Sequence, residues 1–319
     1  LKNSELNDEN FKYMDLDFQL LKELCAIQAP SGNEVAVKEF IKQYVAHNQQ
    51  NWKVQPELIE GDFIQDCLIL KFGKPTTAIF AHMDSIGFTV RYKNEVVKIG
   101  GPVAERGIKL VGKDSKGEIV CSLMVDQEHL GVKFNREIDR GTELTFAPDW
   151  RETDEYVQCC YMDNRLGVWN ALQVASALEN GVVVFSCWEE HGGGTVGYLG
   201  EYIWKEWGVR QALISDITWV TDGVPAGKGV VVSMRDRGIP RRKFIDKIIG
   251  LSEKSGIPFQ LEVEGAGGSD GGYLQASHLP FDWCFIGAPE DFVHSPNEKV
   301  HKKDIEGMVQ LYEYLMKNL

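Results

Sequence analysis

Four short runs in this chain are apolar from end to end: "TAIFA" (77–81), "VVVFSC" (182–187), "ALIS" (212–215) and "WCFIG" (283–287). A strand with one wet face alternates polar and apolar residues, so unbroken runs of this length fit strands covered on both faces. Helical patterns follow three of the four. Over 165–179, Leu166, Trp169, Leu172 and Leu178 fall in register, and "NG" (180–181) supplies a stop. A second pattern covers about 241–255, and "DIEGMVQLYEYLMKNL" closes the chain as an amphipathic helix. Two more helices precede the first run. "DLDFQLLKELCAI" places Leu16, Leu20, Leu21 and Leu24 on one face. Ser31 and Glu34 stand at capping-box spacing before a helix that turns Val37, Phe40, Ile41 and Val45 inward. The expected class is α/β, a three-layer αβα domain on a mostly parallel sheet.

Residues 88–158 read differently. Glycines and turn pairs recur there, separated by short β-rich runs such as "EIVCSLM" and "ELTFA", with no helical pattern. They are expected to form a small all-β domain inserted into the α/β domain, which then comprises 1–87 and 159–319.

Each apolar run ends at residues able to do chemistry. "TAIFA" leads to His82 and Asp84, "VVVFSC" to Glu189 and Glu190, "ALIS" to Asp216, and "WCFIG", after a loop, to His294; Asp163 precedes the helix near 165. Ligands of open α/β sheets bind beyond the carboxyl ends of the strands. Acids and histidines from five segments therefore converge on one rim. Two histidines among several carboxylates suit Zn²⁺ or a similar ion, whereas Ca²⁺ takes oxygen ligands only. Two ions can share one carboxylate and polarise one water, and a free carboxylate is then needed for the water's proton. The Glu189–Glu190 pair fits if it is extended, because neighbours then point to different sides.

The plainer readings stand beside this one. A histidine after a strand is often structural, adjacent glutamates in a loop are often only solvated, and Asp163 or Asp216 can cap a turn. A retaining glycosidase needs two carboxylates facing each other across a sugar, which sequence neighbours do not provide. Serine chemistry lacks a G-x-S-x-G elbow, and Ser269 in "GGSDGG" has no histidine partner in sequence. That glycine-rich turn reads instead as a tight loop letting backbone approach the site.

Composition narrows the partners. The formal charge of −13 argues against nucleic acid and anionic membranes, and the one basic run, "MRDRGIPRRK" (234–243), reads as a solvated loop and helix start. Seven cysteines, an odd number with no C-x-x-C, read as reduced and mostly buried, and no apolar run reaches the ~18 residues of a membrane span. With no signal peptide evident, the expected compartment is the cytoplasm; the first dozen polar residues read as tag or tail.

Taken together, "APSGNE", "AHMDSIGF", "MDNRLGV", "EEHGGGTVG", "ISDIT", "GIPFQLEVEGAGGSDGG" and "FVHSPNE" resemble, in order and spacing, the M42 family of dinuclear metal aminopeptidases. The family is also known as glutamyl aminopeptidases and, misleadingly, as endoglucanases. The likeness runs from about Leu16 to the C-terminus, and the metal signature is shared with the M28 and M20 peptidases. It implies that His82 and Asp216 hold one divalent ion, Glu190 and His294 the other, and Asp163 both. The ions would be Zn²⁺, with Co²⁺ or Mn²⁺ as alternatives. Glu189 would be the general base, Asp84 the partner that orients His82, and the Asp163–Asn164 peptide bond cis. The implied activity is removal of N-terminal residues from short peptides; the alternatives are a related carboxypeptidase or N-acyl deacylase, favoured by an exposed Arg near the site, or a metal-binding scaffold without turnover. A homo-oligomer is implied, and because the insert is short and lacks an "SKPPH"-like stretch, a dimer is expected ahead of the large tetrahedral dodecamer. Trp188 and His191 depart from the family's usual residues, and His191 is either a substrate contact or a solvated loop residue.

Overall fold

A computed structural model describes residues 16–127 and 129–319. The polar N-terminal dozen and Asp15 lie outside the described residues. The first strands, β1 (Glu57–Ile59), β2 (Leu68–Phe72) and β3 (Thr77–His82), follow helices α1 (Gln19–Cys25) and α2 (Val35–Asn48). Strands β4 (Gly87–Val90), β5 (Val96–Ile99), β6 (Lys109–Asp114), β7 (Gly117–Asp126), β8 (His129–Lys133) and β9 (Glu143–Phe146) come next, then β10 (Arg151–Glu152) and β11 (Tyr156–Gln158). The rest of the chain is α3 (Met162–Ala177), β12 (Gly181–Ser186), α4 (Val196–Trp207), β13 (Gln211–Trp219), β14 (Val230–Ser233), α5 (Arg242–Ser255), β15 (Phe259–Glu262), α6 (Asp270–Ala276), β16 (Asp282–Asp291), β17 (Lys299–His301) and α7 (Lys302–Asn318).

The four apolar runs are neighbours at the centre of the large sheet, ordered β12-β3-β13-β16, and all three pairings among them are parallel. Every residue of β3 and β12 is buried, as unbroken apolarity requires. Coverage comes from two groups of helices. Helix α3 packs on β3 and β13 and against α1 and α7, while α4 and α6 pack together, α4 on β12 and α6 on β3, β13 and β16. Trp169 of α3 is fully buried and stacks on Phe18 with centroids 5.7 Å apart. At ~25 cal/mol per Å², burying such side chains is what fixes the helices to the sheet.

Pairing of β3 with β13 runs from Thr77↔Gln211 to Phe80↔Ile214 and then stops. The next facing residues, continuing that register, are Ala81 with Ser215 and His82 with Asp216. The two strands part where their polar residues begin, and this opens a crevice at the carboxyl end of the sheet.

Strands β4–β9 form a separate antiparallel sheet ordered β5-β4-β9-β6-β7-β8, an all-β unit inserted after β3. In β7, Ile119, Cys121 and Leu123 face inward while Val120 faces solvent. Residues 151–158 belong elsewhere: β10 pairs with β11, and β11 pairs with β17 of the large sheet. The insert carries one strong ion pair. Arg136 Nη1 and Nη2 donate to Asp114 Oδ2 and Oδ1 at 2.5 and 2.8 Å, and the guanidinium holds that carboxyl well below the usual range. A depressed carboxyl pKa contributes stability above the ordinary carboxylate pKa and loses it as pH falls through the depressed value. The Arg136→Ala variant is therefore expected to unfold more readily than the native chain at pH 7, with the difference shrinking as pH falls below about 4, the ordinary Asp value. Urea unfolding at a series of pH values reads this.

One local expectation changes. Ser31 and Glu34 do not form a capping box: Glu34 sits at the N-cap of α2 without capping it. Ser31 Oγ donates to Asp84 Oδ2 at 2.6 Å, and Glu34 Oε1 accepts from Gly32 N and Trp188 N at 2.9 and 3.3 Å. Both side chains serve the rim of the sheet instead. All seven cysteines are buried and unpaired.

Candidate active site

His82 ends β3, and Asp84 comes in the next turn. Asp216 lies inside β13, three residues before its end, because "DITW" continues the strand alongside β16 rather than leaving it. Likewise β16 runs on to Asp291, so His294 lies three residues beyond it. Glu189 and Glu190 occupy a turn after β12, entered through Trp188 at φ 63°, and are not extended as expected. Asp163 opens α3, and the Asp163–Asn164 bond is cis.

These segments meet. His82 Nε2 is 3.3 Å from Asp163 Oδ1 and 3.6 Å from Asp216 Oδ2. His294 Nε2 is 3.2 Å from Asp163 Oδ2 and 3.1 Å from Glu190 Oε2. Two groups of three possible metal ligands result, His82–Asp163–Asp216 and Asp163–Glu190–His294, with Asp163 common to both. The donor set is imidazole plus carboxylate, the one Zn²⁺ and related ions accept. Glu190 Oε1 is buried without a hydrogen-bond partner. A buried carboxylate oxygen left unpartnered is costly, and a cation there would remove the cost. The residues thus fit a divalent metal pair.

Electrostatics say the same. Burial and then the Asp163 charge push the Glu190 carboxyl up to about 7, and burial pushes Asp216 up to about 6. Burial pulls His294 down, but Asp163 and Glu190 outweigh it and hold the imidazole up at about 11. Glu189 is raised well above the carboxylate range by burial, with the charges of Asp216, Asp270 and Glu190 adding to it. The cluster holds more acid than its two imidazoles neutralise.

Asp84 organises the rim. It is fully buried; Oδ1 lies 3.4 Å from His82 Nδ1 and accepts from Glu189 N at 3.1 Å, while Oδ2 accepts from Glu190 N at 3.1 Å and from Ser31. One carboxylate thus faces the imidazole and fixes the backbone of both glutamates. Removing such an outer partner typically costs about 10–100-fold in metal affinity or activity. Asp84→Asn is expected to fall in that range, because its amide would turn one donor against another, and metal titration with kcat/KM at saturating metal measures it.

The apolar-run pattern does not single out several charged residues that the fold brings to the site. Asp270, in "GGSDGG", is buried, with Oδ2 accepting from Ser186 and Oδ1 without a partner. Glu298, in "HSPNE", is fully buried and accepts from Asp163 N at 3.3 Å. Arg237, from the basic run, lines the cavity over the site, as do Glu262 and Glu264. A signal for Asp270 and Glu298 is present in the sequence: Asp270 is an acid among glycines and serine, and Glu298 follows the turn residues after His294. His191, read from the sequence as a substrate contact or a solvated loop residue, is exposed, and its Nδ1 accepts from Gly100 N at 2.9 Å.

The cavity measures about 330 Å³ and is lined by His82, Asp163, Glu189, Glu190, Asp216 and His294 together with Trp219, Arg237, Tyr273 and Phe285. The family model for M42 glutamyl aminopeptidase matches residues 116–311, well over half of the chain. The chain belongs to the M42 family. It is a peptide hydrolase, and M42 peptidases are metal-dependent. A relative in Acetivibrio thermocellus, named as an inferred aminopeptidase, is 27% identical over 333 residues, covering 92% of this chain and 96% of the relative. The M42 fold is shared with the TET aminopeptidase of the marine sediment archaeon Thaumarchaeota archaeon SCGC AB-539-E09 (TM-score 0.84, 17% identity, 95% of this chain and 96% of that one). It is shared also with the Pyrococcus horikoshii TET1 peptidase, described as assembling into a tetrahedron or a large octahedral shell (TM-score 0.78, 22% identity, 93% and 98%). No helix among the described residues is long and apolar enough to cross a membrane.

Proposed function

We propose that this M42 chain is a cytoplasmic aminopeptidase that uses two divalent ions to remove N-terminal residues from short peptides. The observation that carries the reading is the pair of ligand groups sharing Asp163, with Glu189 lining the same cavity. His82 and Asp216 would hold one ion, Glu190 and His294 the other, and Asp163 both; Zn²⁺ suits the donors, with Co²⁺ and Mn²⁺ as alternatives. Bound divalent ions supply Lewis-acid polarisation of the scissile carbonyl and of water, and a seat for the free α-amine. Glu189 takes a proton from the attacking water as the new C–O bond forms. It returns that proton to the nitrogen as the C–N bond breaks, leaving a free acid and a shortened peptide. Asp84 keeps the Glu189 amide and the His82 ring in place throughout.

The division into a peptidase body and an inserted β domain, expected at 88–158, is part of the same reading; the separate sheet at 87–146 supports it, while β10 and β11 (151–158) pair with the body's sheet. So is a homo-oligomer, which the TET1 relative's assembly supports by analogy. One observation favours a different enzyme: exposed Arg237 on the cavity wall is suited to a substrate carboxylate, as a carboxypeptidase or N-acyl deacylase needs. Asp236, Glu262 and Glu264 line the same wall and offset it. Hydrolysis of matched short peptides, free or acetylated at the N-terminus, by Zn²⁺- or Co²⁺-loaded protein separates the two. Cleavage confined to the free-amine set is expected; cleavage of the acetylated set would replace the aminopeptidase with the deacylase or carboxypeptidase.

A further inference from the structure

The two halves of the ligand cluster are supported by different parts of the chain. His82 and Asp216 stand on adjacent strands of the large sheet, and Asp84, itself held by Ser31, faces the His82 ring. Glu190 and His294 stand on loops instead. The His294 side chain is 31% exposed, and its backbone adopts φ 62°, a conformation L-residues rarely take.

Asp84 holds the Glu190 amide from the sheet side, and a further support shared by both loops comes from the insert. After β5 the chain turns through Gly100, Gly101, Pro102 and Val103. Gly100 N donates to His191 Nδ1 at 2.9 Å, one residue beyond Glu190, and Val103 N donates to His294 O at 2.8 Å. The two glycines lie flat against the ligands themselves. A Cβ on Gly100 would stand 3.0 Å from Glu190 O and 3.3 Å from Glu190 Oε2, and one on Gly101 would stand 3.2 Å from His294 Nδ1. Side chains at either position would press on a ligand from behind.

We propose that the insert's Gly100–Val103 turn is a positioning element for one half of the metal centre, setting Glu190 and His294 and leaving His82 and Asp216 untouched. This rests on the two-ion reading of the site. It gives the insert a role inside the active site: the affinity of the second ion depends on how the insert is seated, while that of the first does not. His191 is the side chain that accepts the insert's backbone.

The test is calorimetric titration of Zn²⁺ into the full chain stripped with chelator, for the native protein, Gly101→Val and His191→Ala. Thermal unfolding of each stripped protein serves as the fold check. Gly101→Val pushes on His294. His191→Ala removes only an acceptor from an exposed loop, so it keeps the test open if Gly101→Val fails to fold. The expected result is two equivalents for the native chain. In the variants the first equivalent should bind as in the native chain, and the second about 10–100-fold more weakly, the range for lost outer partners of metal ligands. Elemental analysis after dialysis should then find the variants retaining about half the native metal. Native affinity for both equivalents in His191→Ala and in folded Gly101→Val would overturn the positioning role, as would equal weakening of both. Fewer than two equivalents in the native chain would remove the two-ion reading and this inference with it.

Discussion

Glu189→Gln is expected to lower kcat by about 10²–10⁴-fold, the usual contribution of a positioned general base, while the protein keeps its full metal content. Glutamine preserves the shape of the side chain and leaves Glu189 N donating to Asp84, so the turn carrying Glu190 stays where it is. What is lost is a carboxylate able to take the water's proton. The measurement is steady-state kinetics on a free-amine peptide, paired with elemental analysis of the same sample. A fall in kcat with unchanged metal assigns the base; a parallel loss of metal would mean that Glu189 acts as a ligand, and the roles within the pair would need exchanging.

The second large effect concerns the shared ligand. Asp163 faces His82 with one oxygen and His294 with the other, so Asp163→Ala takes a donor from both groups at once. Loss of both ions and of all measurable metal-dependent hydrolysis is expected. Asp216→Ala, which touches only the His82 group, should spare the other ion. Stability reports the same difference. A ligand that binds only the folded state adds about 2.7 kcal/mol at a concentration one hundredfold above its Kd. Added Zn²⁺ should thus raise the melting temperature of the stripped native protein and leave that of Asp163→Ala where it was.

Much of this is legible in the sequence for a physical reason. Strands buried on both faces have no wet side to encode, so "TAIFA" and "VVVFSC" fit central strands, and the acids just beyond them then fall at the rim. The limits of those strands are harder to read. "DITW" and "APED" carry polar residues yet remain paired, Thr218 beside Pro289 and Trp219 beside Glu290, and all but Trp219 and Asp291 stay buried, so composition does not mark where the strands end.

Local rules fail where a distant partner displaces the near one. Ser31 and Glu34 have capping-box spacing, but Asp84 and the Trp188 amide take their oxygens across more than fifty residues of sequence. The same reason hides the geometry of the glutamates. A run entering them at strand period suggests an extended pair, whereas two backbone donations to Asp84 bend it into a turn. Asp270 and Glu298 escape notice because neither comes directly after an apolar run. Asp270 opens a short helix behind the site, and Glu298 supports Asp163 through its backbone rather than through any exposed group. Composition alone assigns the strands at 151–158 to the insert; the pairing of β11 with β17, more than 140 residues later, is not a local property.

The most direct measurement is an anomalous difference map from a crystal of the native chain loaded with Zn²⁺, collected at the zinc absorption edge. Two peaks are predicted, one among His82, Asp163 and Asp216 and one among Asp163, Glu190 and His294, with Asp163 touching both. Peaks elsewhere, or none within reach of Asp163 in a crystal soaked at saturating metal, would contradict the assignment of this cluster as the catalytic centre.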